Sequence, residues 1–236
     1  MLEMLEECFY QSQRTYGVRR LTDDLNDLGE TVNHKRVARI KQENEIYPKQ
    51  HKAYVVTTDS THGKAVADNV LNRQFDVSKP NDVWVSDITY IPTQAGWVYL
   101  AVIIDLYSRM VIGWQLADHM RAELVSQAVE MARVRRRTLP KLFHSDRGSQ
   151  YVSDEMEEAL EGVTLSMSRK GNCWDNAVAE SFFGTLKTEH VNHETYKTVH
   201  EARMSLFQFI EGFYNRKRRH SYLGNISPEM FEDKAA

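Results

Sequence analysis

Cysteine is almost absent from this chain. Among 236 residues only Cys8 and Cys173 occur, and no C-x-x-C pair is present. Two isolated thiols cannot make a disulfide framework, so a reducing cytoplasm is the expected compartment. His190 and His193 have H-x-x-H spacing, but no cysteine pair stands near to complete a structural zinc site. No stretch approaches the roughly eighteen apolar residues of a membrane span, and no signal-peptide pattern opens the chain. Internal repeats, low-complexity tracts and heptads are missing too. An excess of positive charge is also lacking: the formal net charge is −3. That balance argues against a protein that coats nucleic acid, although an average can hide local basic patches.

The charges are in fact segregated. Acids gather in residues 1–7, 23–27 and 154–161, and bases in 34–41, 133–137 and 216–220. The length suits one sizeable core and a smaller module. Residues 1–47 read as helices. Leu21, Leu25 and Leu28 recur at helical spacing, and Gly29 is placed to end that helix. Asn33 can cap the next helix, H-K-R-V-A-R-I-K, with Val37 and Ile40 facing inward. A helix-turn-helix and a small bundle with a solvated basic face both fit this pattern.

Residues 48–80 are polar, carry Pro48, Gly63 and Pro80, and read as a linker. Residues 81–195 then alternate. Strands are expected over 83–91, 97–104 and 110–116 as a meander turning at Gln94-Ala95-Gly96. A helix over 121–137, a strand over 142–144, a helix capped by Ser153 and a strand over 163–167 follow. The expected class is α/β, a mixed five-stranded sheet with helices on both faces. Residues 196–236 form a last helix, opened by the capping box T-x-x-E at Thr198, and a basic, aromatic-bearing tail.

Three carboxylates stand out. Asp146 follows Leu142 and Phe143, at the carboxyl end of a strand, where open α/β sheets bind ligands. Asp87 interrupts V-W-V-S-D-I-T-Y-I, a strand otherwise apolar on both faces, and a carboxylate there is costly unless paired or metal-bound. Glu180 lies early in a helix that Asp175 or a neighbour can cap. At about 100° per residue, Val178, Phe182 and Leu186 form an apolar stripe with Ala179 and Phe183 beside it. Glu180, Lys187, Gly184, Ala177 and Asn176 fall opposite, on a face with room for a bulky charged ligand. Three such carboxylates suit two hard cations, and paired metals suit in-line displacement at phosphorus. Asp105, in D-L-Y-S-R, is a rival that reads better as a turn-forming residue.

The strings S-D-I-T-Y-I, H-S-D-R-G-S-Q-Y and S-M-S-R-K-G-N-C-W-D-N-A-V-A-E-S-F-F-G-T-L-K-T-E resemble the DDE core of bacterial insertion-sequence transposases. The chain is most similar to the second-frame (OrfB) product of the insertion-sequence-three family, which is related to retroviral integrases. The similarity runs through nearly the whole length. Asp146 and Glu180 enclose 33 residues, two short of the family's habit, and the shortening falls in E-A-L-E-G-V-T-L.

The resemblance implies a ribonuclease-H-like core and a metal-dependent polynucleotidyl transferase that cleaves element ends and joins 3′-hydroxyls to another DNA site. Asp87, Asp146 and Glu180 would hold two Mg²⁺ or Mn²⁺ ions. Lys187 matches a basic family position and is expected at a phosphate, against the ordinary alternative of a solvated lysine. Y-G-V-R-R-L and V-N-H-K-R-V-A-R-I resemble the module preceding the family's core, so Lys35, Arg36 and Arg39 are expected to meet DNA. Arg147, Arg216, Lys217, Arg218 and Arg219 are expected to do the same, and the linker to order on DNA. His144 and Asn176 are expected behind the carboxylates, with ordinary core satisfaction the alternative for His144. Arg133–Arg137 are left between DNA contact and helix-end complement. Trp174, Tyr151 and Asn172 shape the loop over the site or stack on an unpaired base, with core packing the expected fate of Trp174. Expected partners are DNA, further copies of the chain and a first-frame (OrfA) or fused OrfAB product. A second hypothesis is a DNA-binding or assembly partner, inactive without an upstream frameshift-fused module. Met1 also stands late relative to typical second-frame products.

Overall fold

Strand β1 (Val83–Thr93) lies at the centre of the sheet, and its two neighbours run in opposite senses. On one side, β2 (Gly96–Asp105) and β3 (Val111–Ala117) complete an antiparallel meander. The first turn is two residues, Gln94-Ala95, with Gly96 at φ +119°, a backbone that favours glycine. On the other side, β4 (Leu142–Ser145) and β5 (Thr164–Met167) pair in parallel, giving the order β3-β2-β1-β4-β5. This computed structural model describes residues 1–49 and 66–235.

Period-two alternation divides the strands between two cores. Trp84, Ile103, Ile112 and Phe143 face helix α4 (Ala122–Arg136), which contributes Leu124, Val125, Ala128, Val129 and Ala132. Contact here is close. A Cβ on Gly113 would lie 2.2 Å from the Ala128 carbonyl oxygen, so only glycine lets α4 settle on β3. Val85, Val102, Ile104 and Val111 face the other way, toward α6 (Ala177–Glu189) and α7 (Val199–Phe207). After α7 the helix widens into a π segment, Gln208–Tyr214, instead of continuing as an α-helix. The wider turn buries Phe209, Ile210, Phe213 and Tyr214 together and brings the Asn215 amide to the Val111 backbone.

The amino-terminal helices α1 (Leu2–Gln11), α2 (Val18–Asp27) and α3 (His34–Glu43) share that second core. Leu21 and Leu25 are buried, but Leu28 caps α2 and is exposed, so the expected leucine stripe is one residue shorter. Asn33 caps α3 by accepting the Arg36 backbone N–H at 3.0 Å. Lys35, Arg36 and Arg39 lie on the exposed edge of α3.

Two expectations need correction. Residues 50–65 of the expected linker lie outside the described residues, but 66–80 are already seated on the core. The Leu71 backbone N–H donates to Ser166 Oγ, and Arg109 Nη2 donates to the Phe75 carbonyl. The basic tail is likewise not a free run of charge. Arg218 is buried in a two-bond pair with Glu189, both contacts at 2.7 Å, and Arg219 is bound to Asp24 and Asp27 of α2. Burial makes such pairing obligatory, because an unpaired guanidinium would be costly there. Only Arg216 and Lys217 of this cluster remain exposed. Past the tail, a bridge between His220 and Ile226 and a short helix α8 (Pro228–Ala235) end the chain. Arg133 pairs with Glu130 on its own helix, and Arg135 and Arg136 reach Glu211 and Glu232. These three arginines thus have structural partners.

His190 ends α6, stacked on Phe209 with Nε2 at 2.7 Å from Ser205 Oγ. Burial first, then the Lys49 charge, lower its pKa to about 4. A folded pKa below the unfolded value near 6.5 adds stability that is present at neutral pH and lost as pH falls. His190→Gln keeps a polar partner for Ser205 without the titration. The stability advantage of the parent over this variant should therefore shrink by about 2 kcal/mol between pH 7 and pH 5. Urea unfolding of both proteins at the two pH values measures it, and a constant difference would mean that the ring is not held neutral.

Candidate active site

Strand register brings the first two carboxylates together. Val85 is paired with His144 across the parallel β1–β4 ladder. Two residues further along each strand come Asp87 and Asp146, so both leave the same edge of the sheet on the same face. Asp87 Oδ1 accepts the Ile88 backbone N–H at 2.8 Å, and Asp146 Oδ1 accepts that of Gly148 at 2.9 Å. A side chain at Gly148 would crowd that oxygen, since a Cβ would stand 3.0 Å from it.

The electrostatics follow from that placement. Burial, and then the charge of Asp146, push the Asp87 carboxyl well above its ordinary range; Glu180 adds to this, while Lys187 opposes it. Beneath the pair, the buried Tyr151 hydroxyl lies 2.9 Å from Ser86 Oγ. Burial and the fields of Asp146 and Asp87 raise its pKa as well, so the phenol stays protonated as a donor. Asn176 donates from Nδ2 to the Ser86 carbonyl, and its buried Oδ1 has no partner.

Glu180 stands in the first turn of α6, exposed, with its pKa raised by partial desolvation. Its field reaches Asp87, yet it sits at the rim. Among the described residues no three carboxylate, imidazole or thiol groups already enclose a position for an ion. The set still fits hard divalent cations: two half-buried carboxylates raise each other's cost of ionisation, and the three expected ligands are all carboxylates.

Of the other expected positions, Lys187, Asp175 and Trp174 differ, whereas Asp105 is the turn residue expected and His144 follows its core alternative. Lys187 is buried and not on an open face; its Nζ lies 4.5 Å from the Tyr90 ring centroid, and burial lowers its pKa against the pull of Asp87. His144 is a core histidine, with Nδ1 at 2.9 Å from Ser166 Oγ and Nε2 at 3.2 Å from Ser168 Oγ. Arg147 Nε donates to the Ser168 carbonyl at 2.7 Å. Asp175 does not cap α6. It gathers Arg73, Arg169 and Asn69, which tie residues 66–80 to the loop before α6. Trp174 is 69% exposed and so not a core residue. Asp105 is buried at a turn, accepting backbone N–H groups of Asn81 and Tyr107 beside Arg136. Ser86 was not singled out by sequence; a small polar residue inside an otherwise apolar strand, next to Asp87, was the available signal.

Comparison with known proteins gives a consistent picture. Two models described as "Integrase core domain" match residues 77–173 and 161–228, and one described as "HTH-like domain" matches 2–54. The chain is 44% identical over 227 residues to the "Insertion element IS600 uncharacterized 31 kDa protein" of Shigella sonnei, covering 95% of this chain and 84% of that one. It is 43% identical over 229 residues to "Transposase InsF for insertion sequence IS3A" of Escherichia coli (strain K12), covering 96% and 80%. Its fold is similar to that of a chain in a simian T-cell lymphotropic virus intasome, with TM-score 0.54, 14% identity, and 96% and 73% coverage.

The Asp175 cluster yields a separable prediction. Asp175→Ala strands two guanidiniums that now share a fully covered carboxylate, and should cost about 2–3 kcal/mol of stability. Proteolysis within residues 66–80 should accelerate, while Mn²⁺ binding by calorimetry stays near the parent's. Loss of Mn²⁺ binding with unchanged stability would instead make Asp175 part of the metal site.

Proposed function

The chain belongs to the IS3-family transposases with an integrase core domain, and we propose that it cleaves DNA at insertion-element ends and joins the freed 3′-hydroxyls to another DNA site by two-metal in-line phosphoryl transfer. The observation that carries this reading is the half-buried Asp87–Asp146 pair at the junction of two adjacent parallel strands, with the field of Glu180 reaching Asp87 from α6. Asp87, Asp146 and Glu180 would hold two Mg²⁺ or Mn²⁺ ions. Such ions, when bound, neutralise charge at the scissile phosphate and activate a water or a 3′-hydroxyl.

The chain's own groups do the rest. The protonated Tyr151 and the amide of Asn176 hold Ser86, and through it the strand that presents Asp87. Lys187 supplies a fixed positive charge behind Asp87, which keeps it more ionised than burial alone would allow. In this arrangement Lys187 supports the carboxylate in preference to meeting a phosphate. Residues 1–47 act as a DNA-contacting module, 81–195 as the catalytic core and 196–236 as its carboxyl-terminal brace. Lys35, Arg36, Arg39, Arg216 and Lys217 are the exposed cations offered to DNA, with Arg147 near the carboxylates. Assembly of several copies on DNA, with or without a first-frame partner, belongs to the same reading.

The peripheral Glu180 favours a second reading as well: a DNA-binding partner that stays inactive until an upstream fused module draws α6 inward. One experiment separates the two. Purified chain is incubated with labelled duplexes of the element's terminal repeats and Mn²⁺. Cleavage is expected for the parent and background only for Asp87→Asn, Asp146→Asn and Glu180→Gln, with DNA affinity kept by all three, because ligation needs ionised oxygens. Near-parent cleavage by any variant removes that residue from the site, and a parent that binds without cleaving supports the partner reading.

DNA affinity should also fall with salt despite the acidic average, with a slope of roughly −0.9 per neutralised phosphate. The double variant Arg216→Gln/Lys217→Gln should flatten that slope. Arg218→Gln should lower the melting temperature, since it breaks a buried pair. An unchanged slope in the double variant would make its two residues solvated surface.

A further inference from the structure

A second polar cavity lies apart from the carboxylates. It encloses about 420 Å³ between α2, α6 and the carboxyl-terminal segment. Four separate stretches of chain meet there: Arg20 of α2, Arg109 of the β2–β3 turn, Ser181 and Thr185 of α6, and Arg218 with His220. Such convergence of cations from distant sequence is unfavourable unless an anion joins them.

Two acids answer the three guanidiniums. Glu189 takes both Arg218 bonds and stands 3.6 Å from Arg20. Asp76, hydrogen-bonded by the Tyr222 hydroxyl at 3.1 Å, is the acid whose field reaches Arg109. His220 is neutral, held so by burial and the three arginines. One positive charge is left over, because Glu189 is shared between Arg218 and Arg20. Arg109, a residue 7% exposed, adds an unmet donor to the same cavity. Arg109 Nη2 donates to the Phe75 carbonyl, and its guanidinium lies 4.0 Å over the Tyr222 ring. Its Nη1 is buried with no partner, and so is Nε2 of His220. Buried donors are rarely left unmade without a reason.

We propose that this cavity is a phosphate subsite that receives one backbone phosphodiester of bound DNA, on the flank of α6 next to the one carrying Glu180. The proposal rests on the DNA-processing function above. A phosphodiester carries a single negative charge and so matches the single uncompensated positive one. The hydroxyls of Ser181 and Thr185, four residues apart, share one side of α6 and supply neutral donors. Glu180 precedes Ser181, so one rigid helix would hold a backbone phosphate on one flank and offer its carboxylate to the scissile phosphate on the other. Since Arg20 belongs to the amino-terminal helices, the same phosphate would also fix these helices relative to the core on DNA.

The test uses the full chain in EDTA, with a terminal-repeat duplex followed by fluorescence anisotropy over a salt series. Ser181 is exposed near the amino-terminal end of α6, where a carboxylate is tolerated. Ser181→Glu should weaken binding by about tenfold and flatten the salt slope by about 0.9, the share of one phosphate contact. Ser181→Ala should stay within about twofold of the parent, and Arg20→Gln should move affinity and slope in the same direction as Ser181→Glu. Parent-like affinity and slope in Ser181→Glu overturn the proposal. Should that variant melt early, an unchanged slope in Arg20→Gln overturns it equally. A melting temperature of the parent that rises saturably with inorganic phosphate at fixed ionic strength, an effect lost in Ser181→Glu while DNA affinity is kept, would identify a free-anion site and reject the DNA assignment. All arms omit metal. A parent that never cleaves would therefore sink the catalytic reading alone, and an unaltered Ser181→Glu would sink the subsite alone.

Discussion

Two carboxylates held side by side, each partly covered, set the terms for this molecule. Asp87 and Asp146 are brought together by the parallel pairing of β1 and β4, and the field of Lys187 acts on Asp87 from behind. Burial and the neighbouring Asp146 charge raise the Asp87 pKa and disfavour its ionised form. The surrounding structure holds it in place and does not relieve it. Tyr151 and Ser86 brace the strand from below, Asn176 ties the start of α6 to the Ser86 backbone, and Gly148 leaves room for an Asp146 oxygen. A site built this way is stable as scaffold and incomplete as electrostatics, which is what recruitment of divalent cations requires.

The second organising centre is a single acid at the end of α6. Glu189 binds Arg218 of the tail and faces Arg20 of α2. The Tyr16 hydroxyl meets the Arg219 backbone N–H at 2.7 Å, and Arg219 reaches Asp24 and Asp27. The amino-terminal helices, α6 and the carboxyl-terminal segment are therefore joined by largely covered ion pairs as well as by one continuous apolar core. Removing Glu189 would leave the Arg218 charge buried, so this junction should respond cooperatively to mutation. A basic run that looks ready for DNA is, in its second half, the mortar of the fold.

Much of this was legible in the sequence because it rests on local rules. The apolar patterning gave five strands, the first three as a meander, Asn33 and Thr198 gave helix starts, and the flanking apolar runs placed Asp87 within a strand and Asp146 at a strand's carboxyl end. Helical periodicity also put Phe182 and Leu186 inside. These signals are short-range: period two, period 3.6, and side chains that cap the backbone beside them.

What the sequence could not determine depends on partners far along the chain. Lys187 shares a helical side with Glu180 by angle, yet only the approach of β1 decides that the amine is covered by Tyr90 and drawn toward Asp87. Asp175 sits where a cap belongs, but Arg73, more than a hundred residues upstream, and Arg169 claim it first. Arg218 and Arg219 read as solvated charge until Glu189, Asp24 and Asp27 arrive from other helices. Charge is non-directional in sequence and acquires a role only through the counter-charge that folding brings to it. The sequence by itself therefore determined the framework and placed one carboxylate in a strand and another at a strand's end. Tertiary structure alone decided which cations stay exposed at the surface and which are spent holding the protein together.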